Sequence, residues 1–172
     1  VVLDERTLMK CMVPICPHYG GDLMCPPNVL PISKFREVLE QYNNAVLIKV
    51  DIPPDGLVTE AKDFDEPQTP TIEYLNVVKE AKLKLHEIVC QLESICIRSG
   101  FYFAAGLVGG CCSLCDECVG IEAKMSCRYP FKARPAMEAV GIDVVATVKK
   151  AGLDLGFGRN ENNGWIGLVL VS

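Results

Sequence analysis

The sequence predicts an α/β fold, a single layered domain over residues 1–172 in which apolar strands alternate with helices. The chain has 172 residues, about the length of one domain. Its hydrophobic fraction of 49% suffices for a buried core and excludes a disordered chain. Apolar segments of strand length alternate with segments of helical periodicity, which favours packed layers. Cysteine-rich loops at residues 11–31 and 109–130 interrupt this alternation, and we expect them to bind metal at one edge of the domain.

Capping residues and periodicity set the boundaries of the predicted elements. Ser33, Thr71 and Asp143 are residue types that cap helix N-termini through a side-chain oxygen. Gly100 and Gly152 are placed to end helices. In chain order, the predicted elements are a helix over residues 33–42, a buried strand over 45–50, a polar loop over 51–70, a helix over 71–99, a buried strand over 101–108, a short helix over 135–141, a helix over 144–151 and a last strand over 165–171.

The longest predicted helix carries an apolar stripe with helical spacing. Cys96 falls on this stripe and Cys90 lies beside it, so both are predicted to be small hydrophobic residues in or near the core. His86, on the same helix, is predicted to be structural. The stripe comprises Ile72, Leu75, Val78, Leu85, Ile88, Val89, Leu92, Ile95 and Cys96.

Charge and hydropathy exclude several classes of protein. The formal net charge is −5 and no basic patch stands out, so we expect no nucleic-acid binding. The longest apolar runs, at residues 101–108 and 166–171, are far shorter than the ~20 residues of a membrane helix. Residues 1–6 lack the pattern of a signal peptide. We therefore expect a cytoplasmic protein that makes no membrane contact.

The 10 cysteines are the unusual part of the composition. In the cytoplasm thiols stay reduced, so clustered cysteines more often bind metal than form disulfides. The clearest cluster is a quartet in which two residues separate Cys112, Cys115 and Cys118 in turn, and eight more precede Cys127. This spacing favours a [4Fe–4S] cluster, because a closely spaced triplet can reach three iron corners and a remote thiolate the fourth.

Two other interpretations of the quartet remain open. Structural zinc sites with four cysteines usually take two pairs separated by a longer loop, which a compact triplet plus one resembles less. In two-cluster ferredoxins the fourth cysteine ligates the other cluster, so Cys127 could serve a second cluster. The acidic neighbours Asp116, Glu117 and Glu122 would lower a cluster potential, or they are solvated loop charges.

A second set of cysteines lies near the N-terminus. Cys11, Cys16 and Cys25 stand among prolines that stiffen the loop, and we expect them to bind metal as well. Three thiolates are one short of a closed four-iron cluster. Either Cys111 supplies the fourth, or one iron keeps a non-protein ligand, or the set holds a three-iron cluster. An iron without a cysteine ligand could act as a Lewis acid.

Non-cysteine candidates lie close to both sets. His18 and Tyr19 are the candidate catalytic residues, as proton donors, although each is equally typical of a plain loop. The segment that begins at Arg134 and Pro135 could start a helix whose N–H groups face an anionic cluster. Met137 would then pack on the cluster, or it is an ordinary core methionine.

Beyond the spacing of the cysteines, longer stretches of the sequence point to a family. They are Cys16-Pro-His-Tyr-Gly with Cys25-Pro-Pro, Gly110-Cys-Cys-Ser-Leu-Cys-Asp-Glu-Cys, Cys127-Arg-Tyr-Pro and Ala133-Arg-Pro-Ala-Met-Glu-Ala-Val-Gly-Ile-Asp-Val. Through them the chain resembles the uncharacterised predicted metal-binding protein family, a domain-of-unknown-function group of anaerobic bacteria and archaea. The resemblance implies a cysteine-bound metal, iron–sulfur above all, in an anaerobe's cytoplasm, and it implies no reaction. The family tends to have Ser where this chain has Ala136, which weakens any role for a hydroxyl there.

Three functions from different classes follow. The first is electron transfer, or a redox-accessory role, with one or two [4Fe–4S] clusters and an unidentified redox partner protein. The second is an enzyme with an open iron at Cys11, Cys16 and Cys25, where His18 or Tyr19 delivers protons. The third is a non-redox module stapled by structural zinc. A homodimer is the default expectation for the oligomeric state.

Overall fold

A three-stranded antiparallel sheet forms the centre of the fold. A computed structural model of the chain describes residues 1–13, 16–53, 71–120, 125–155 and 163–172. The strands within these residues lie in the spatial order β1–β3–β2, so β3 is central. The predicted α/β class is confirmed. The bounds are Asn44–Asp51 for β1, Ala105–Val108 for β2 and Gly164–Val171 for β3.

Helices precede the first strand and separate the three strands along the chain. Two predicted N-caps are confirmed, since Thr71 Oγ1 accepts the Tyr74 N–H at 3.2 Å and Asp143 Oδ1 accepts the Ala146 N–H at 2.9 Å. No helix in the described ranges combines the length and apolar character needed to cross a membrane. The helices are α1 (Met9–Met12), α2 (Ile32–Leu39), α3 (Ile72–Arg98) and α4 (Val144–Lys150), with short 3-10 helices at Glu5–Leu8 and Glu138–Val140.

Two core layers lie on opposite faces of β3, because successive side chains of a strand point to opposite faces. On one face Leu168 and Leu170 pack with Met137. On the other face Val169 packs against α3, where Val89 is fully buried. Met137 is therefore a core residue, which decides between the two interpretations of that side chain.

The apolar stripe of α3 is only partly buried, in contrast to the prediction. Leu85 and Val89 are fully buried, whereas Ile72 is 79% and Leu75 is 50% exposed. The physical reason is length: a helix of 27 residues is about 40 Å long, whereas an eight-residue strand spans about 27 Å. The ends of the helix therefore extend beyond the sheet. Ile95, near the C-terminal end, is 51% exposed.

The two cysteines and the histidine of α3 behave as predicted. Cys96 packs beside the core layer under the helix. Cys90 is partly buried and its thiol donates to the Lys132 carbonyl at 3.4 Å. His86 is buried, and its Nε2–H donates to the same carbonyl at 2.6 Å. All three side chains therefore have structural roles in this part of the fold.

Two strand predictions need correction. The strand at residues 45–50 exists, but its beginning is exposed rather than buried, because β1 is an edge strand that pairs on one side only. The strand predicted over 101–108 begins only at Ala105. Residues 101–104 form a turn, closed by the Ala104 N–H bond to the Phe101 carbonyl at 3.0 Å, and Phe103 is 78% exposed.

Two helix predictions also need correction. The first helix begins at Ile32, after Pro31, so Ser33 does not cap it, and it ends at Leu39. No α-helix starts at Pro135, because the carbonyl of Pro135 accepts the Val108 N–H at 3.1 Å and holds the segment extended beside β2. The predicted loop over 51–70 lies outside the described residues from position 54 onward, and Glu122 lies outside them too.

Candidate metal centre

The eight cysteines of the two predicted sets line two separate cavities. Four of them, here called the first cysteine site, line a cavity of about 560 Å³; they are Cys11, Cys16, Cys25 and Cys111. The other four, the second cysteine site, line a cavity of about 370 Å³; they are Cys112, Cys115, Cys118 and Cys127. All ten cysteines of the chain are free thiols.

Successive turns of the N-terminal loop collect three thiols of the first site. The Cys16 N–H donates to the Cys11 carbonyl at 3.0 Å, at the end of α1. Further along, the Tyr19 N–H donates to the Cys16 carbonyl at 2.9 Å and the Cys25 N–H to the Asp22 carbonyl at 3.2 Å. Backbone bonds of this kind fix the loop without using any side chain of the site.

A backbone contact docks this loop beside the sheet. The Ala136 N–H donates to the Met24 carbonyl at 3.2 Å, while Ala136 itself bridges to Val108 at the end of β2. Cys25, which follows Met24, is thereby brought to the segment that contains Cys111. The bond uses the backbone amide of Ala136, so it does not depend on the side chain at this position.

A turn at Gly110 precedes two consecutive cysteines that line different cavities. The φ of Gly110 is +69°, in the left-handed region that glycine adopts at little cost. A Cβ at this position would lie 3.0 Å from Trp165 Cζ3 and 3.4 Å from Lys82 Nζ, so a larger residue would be strained by the backbone and would press on both side chains. After this turn, Cys111 lines the first cavity and Cys112 the second.

Burial, together with neighbouring thiols, raises the pKa of one thiol in each site. Burial raises the pKa of Cys25 to about 12, with further contributions from Asp22 and the three other thiols of the first site. Burial also raises the pKa of Cys112, to which the other three thiols of the second site contribute. Such thiols are protonated at neutral pH, and a bound metal cation deprotonates them by its own charge.

The chemistry of the donors suits iron or zinc, because soft thiolates select these metals and clusters. In each site four cysteine sulfurs are available and belong to one cavity. Within the described ranges, no group of three or more His, Cys, Asp or Glu side chains is arranged to hold a single metal ion.

His18 lies between the two sites and lines both cavities. Its Nδ1 lies 2.7 Å from the Asp22 carboxylate, which orients the ring. Tyr19 lines only the first of the two cavities. Asp22 was not predicted as a site residue from the sequence, although its position four residues after His18 is a weak signal for such a pair.

Two lysines of α3 reach the cysteine segments and were missed by the sequence reasoning. Lys82 Nζ lies 3.2 Å from Cys111 Sγ. Lys79 Nζ lies 2.9 Å from Asp116, a carboxylate that is 91% exposed and therefore a solvated loop charge. No sequence signal links a helix lysine to a cysteine 29 positions away.

Comparisons with known proteins agree with a metal-binding interpretation. Searches of curated proteins and of solved structures each found no match. A family model described as "Predicted metal-binding protein (DUF2284)" matches residues 1–171, which includes both cysteine sites. A match over nearly the whole chain, together with two cavities lined by four cysteines each, leads to one conclusion. The chain belongs to the DUF2284 family of predicted metal-binding proteins.

Proposed function

We propose that this protein binds two [4Fe–4S] clusters, one at each cysteine site, and carries electrons between protein partners. The observation that carries the proposal is that eight cysteines line two cavities, four in each. The consecutive residues Cys111 and Cys112 line different cavities. When bound by four thiolates, a cluster of this type supplies one-electron redox chemistry over a wide range of potentials.

The chain's own contribution is to hold two groups close together. The Cα atoms of consecutive residues are about 3.8 Å apart, so the first and second sites share one stretch of backbone. Cys25 is 6% exposed, and the other site cysteines are partly buried. This burial would limit solvent access while leaving both sites near the surface, which suits exchange with a partner. Free thiols and such clusters also fit a reducing cytoplasm, in an organism that lives without oxygen.

Metal analysis of protein purified without oxygen tests the proposal. We expect about eight irons and as many inorganic sulfides per chain, four for each cubane. After chemical reduction, electron paramagnetic resonance should detect two reduced clusters per chain. Four irons or fewer would contradict the two-cluster proposal, and a colourless protein with stoichiometric zinc would favour a structural zinc module instead.

A serine substitution distinguishes the two possible roles of Cys111. Cys111→Ser should lose or alter one of the two cluster signals and leave the other intact. The matched control is Cys90→Ser, which changes a thiol that faces the Lys132 carbonyl, outside both cavities. The control should keep all the iron.

An enzyme with an open iron at the first site is the second candidate. It is favoured by one observation: the first cavity is the larger of the two site cavities and is lined by His18 and Tyr19. Here Cys111 is not a ligand and the oriented imidazole of His18 faces the reaction space. This candidate predicts that Cys111→Ser keeps both clusters, and that a small anion or thiol alters the resonance signal of one of them.

A further inference from the structure

Lys82 makes a direct contact with a thiol of the first site. Its ammonium lies 3.2 Å from Cys111 Sγ, within hydrogen-bonding distance for sulfur. The two residues come from different elements, α3 and the turn that follows β2. The contact is therefore formed only by the folded chain.

The surroundings hold the Lys82 side chain in place. Its Nζ lies 4.7 Å from the centre of the Trp165 ring, in the range of a cation–π contact. The Trp165 indole N–H in turn donates to the Val78 carbonyl at 3.1 Å, one turn before Lys82 on α3. Gly110 completes the enclosure, since a side chain there would meet both Trp165 and Lys82.

We propose that Lys82 is a positioning residue that raises the reduction potential of the first site through its hydrogen bond to the Cys111 sulfur. The inference rests on the proposed two-cluster function. Reduction adds one electron, and so one negative charge, to a group held by thiolates. A hydrogen bond and a positive charge at one of those sulfurs stabilise the added charge, and hydrogen bonds to sulfur are among the factors that set such potentials.

Among the residues that the structure describes, none of the lysine contacts reaches a sulfur of the second site. Lys79, which precedes Lys82 on the same helix, bonds to the Asp116 carboxylate instead of to a sulfur. At Cys127, Sγ accepts a neutral backbone N–H from Tyr129 at 3.3 Å. Lys79 is therefore a matched control: a lysine of the same helix that contacts a cysteine segment through a carboxylate.

The test is a redox titration of reconstituted protein, with each cluster followed by electron paramagnetic resonance. The variants are Lys82→Met, Lys82→Arg and Lys79→Met, and the signal lost or altered in Cys111→Ser identifies the first site. We expect Lys82→Met to lower the reduced-to-oxidised ratio of that signal about tenfold at a fixed potential, equivalent to about 59 mV for one electron. Lys82→Arg should keep most of the ratio, and Lys79→Met should leave the first-site signal unchanged, because Lys79 contacts only a carboxylate at the second site.

Several results would overturn the inference. One is a Lys82→Met variant that keeps all its iron and titrates like the unsubstituted protein. Another is a shift of the first-site potential in Lys79→Met that is as large as the shift in Lys82→Met. Loss of the first cluster from Lys82→Met would assign the lysine to assembly and not to the potential. The iron count of the unsubstituted protein separates the two proposals: fewer than two clusters there refutes the proposed function itself, whereas a normal count with no effect of Lys82 refutes only this inference.

Discussion

The carboxylate of Glu138 accepts the backbone N–H of Gly110, with Oε2 at 3.0 Å and Oε1 at 3.3 Å. The carboxylate belongs to the short helix Glu138–Val140, and the amide belongs to the turn between β2 and the cysteines. This bond ties the stretch from Ala136 to Glu138 to the turn that precedes Cys111 and Cys112.

We expect Glu138→Ala to lower the free energy of unfolding by about 1–2 kcal/mol, because it leaves a partly buried amide without its partner. Glu138→Gln keeps an acceptor oxygen and should cost less. Urea unfolding measures both effects, and Glu37→Ala is the control, since Glu37 is 64% exposed. Equal stability of Glu138→Ala and the unsubstituted protein would show that the bond does not support the turn.

Arg134, two residues before Ala136, forms an ion pair with Glu93 of α3. Arg134 Nε donates to Glu93 Oε2 at 2.6 Å, and the side chains are 17% and 12% exposed. Glu93 Oε1 also accepts the Gly106 N–H of β2 at 3.2 Å. Arg134→Met should therefore destabilise the fold by about 2 kcal/mol, below the value for a fully buried pair because some solvent remains. A double-mutant cycle with Glu93→Gln measures the coupling, and strictly additive effects would argue against it.

Local signals in the sequence identified most element boundaries. Thr71 and Asp143 cap helices as predicted, because a capping side chain acts within three residues of itself. Pro135 was wrongly predicted to start a helix, because its carbonyl is taken by Val108, 27 positions earlier in the chain. The antiparallel strand order likewise depends on long-range pairing, which periodicity alone does not reveal.

The candidate site was predictable to a similar degree. The two groups of cysteines predicted from spacing line two separate cavities, since ligands of one site are often close in sequence. Spacing alone leaves the fourth position of the first set open, and Cys111 lines the same cavity as that set. Lys82 and Glu138 carry no such spacing, because they approach the cysteine segment from two helices that are distant from it in the sequence.

Two strand glycines make room for one valine of α3. A Cβ at Gly167 of β3 would lie 2.6 Å from Val89 Cγ2, and a Cβ at Gly106 of β2 would lie 2.6 Å from Val89 Cγ1. Gly167→Ala should therefore destabilise the protein by about 1–3 kcal/mol through overpacking. Combining it with Val89→Ala should cost less than the sum of the single changes, because the smaller side chain frees the space. Thermal unfolding of the four proteins tests this, and an additive result would contradict the predicted clash.

His86 should make the stability depend on pH near neutrality. Its pKa is lowered from 6.5, chiefly by burial and further by the charges of Arg134 and Lys82, while the bond to the Lys132 carbonyl opposes the shift. Below pH 6.5 the unfolded chain binds a proton that the folded chain resists, so stability falls as the pH decreases from 6.5 towards the folded pKa. The stability that the neutral His86 side chain contributes is fully present above pH 6.5.

The matched variant is His86→Gln, which does not titrate and keeps an N–H donor for the Lys132 carbonyl. At pH 8 we expect it to be less stable than the unsubstituted protein by about 1 kcal/mol, because the packing and bond geometry are poorer. On lowering the pH to 5.5 the unsubstituted protein should lose up to about 1.4 kcal/mol per pH unit within the titration window. The difference in the free energy of unfolding between the two proteins should therefore narrow or change sign. Urea unfolding at four pH values measures it, and a gap that stays constant from pH 8 to 5.5 would refute the role assigned to His86.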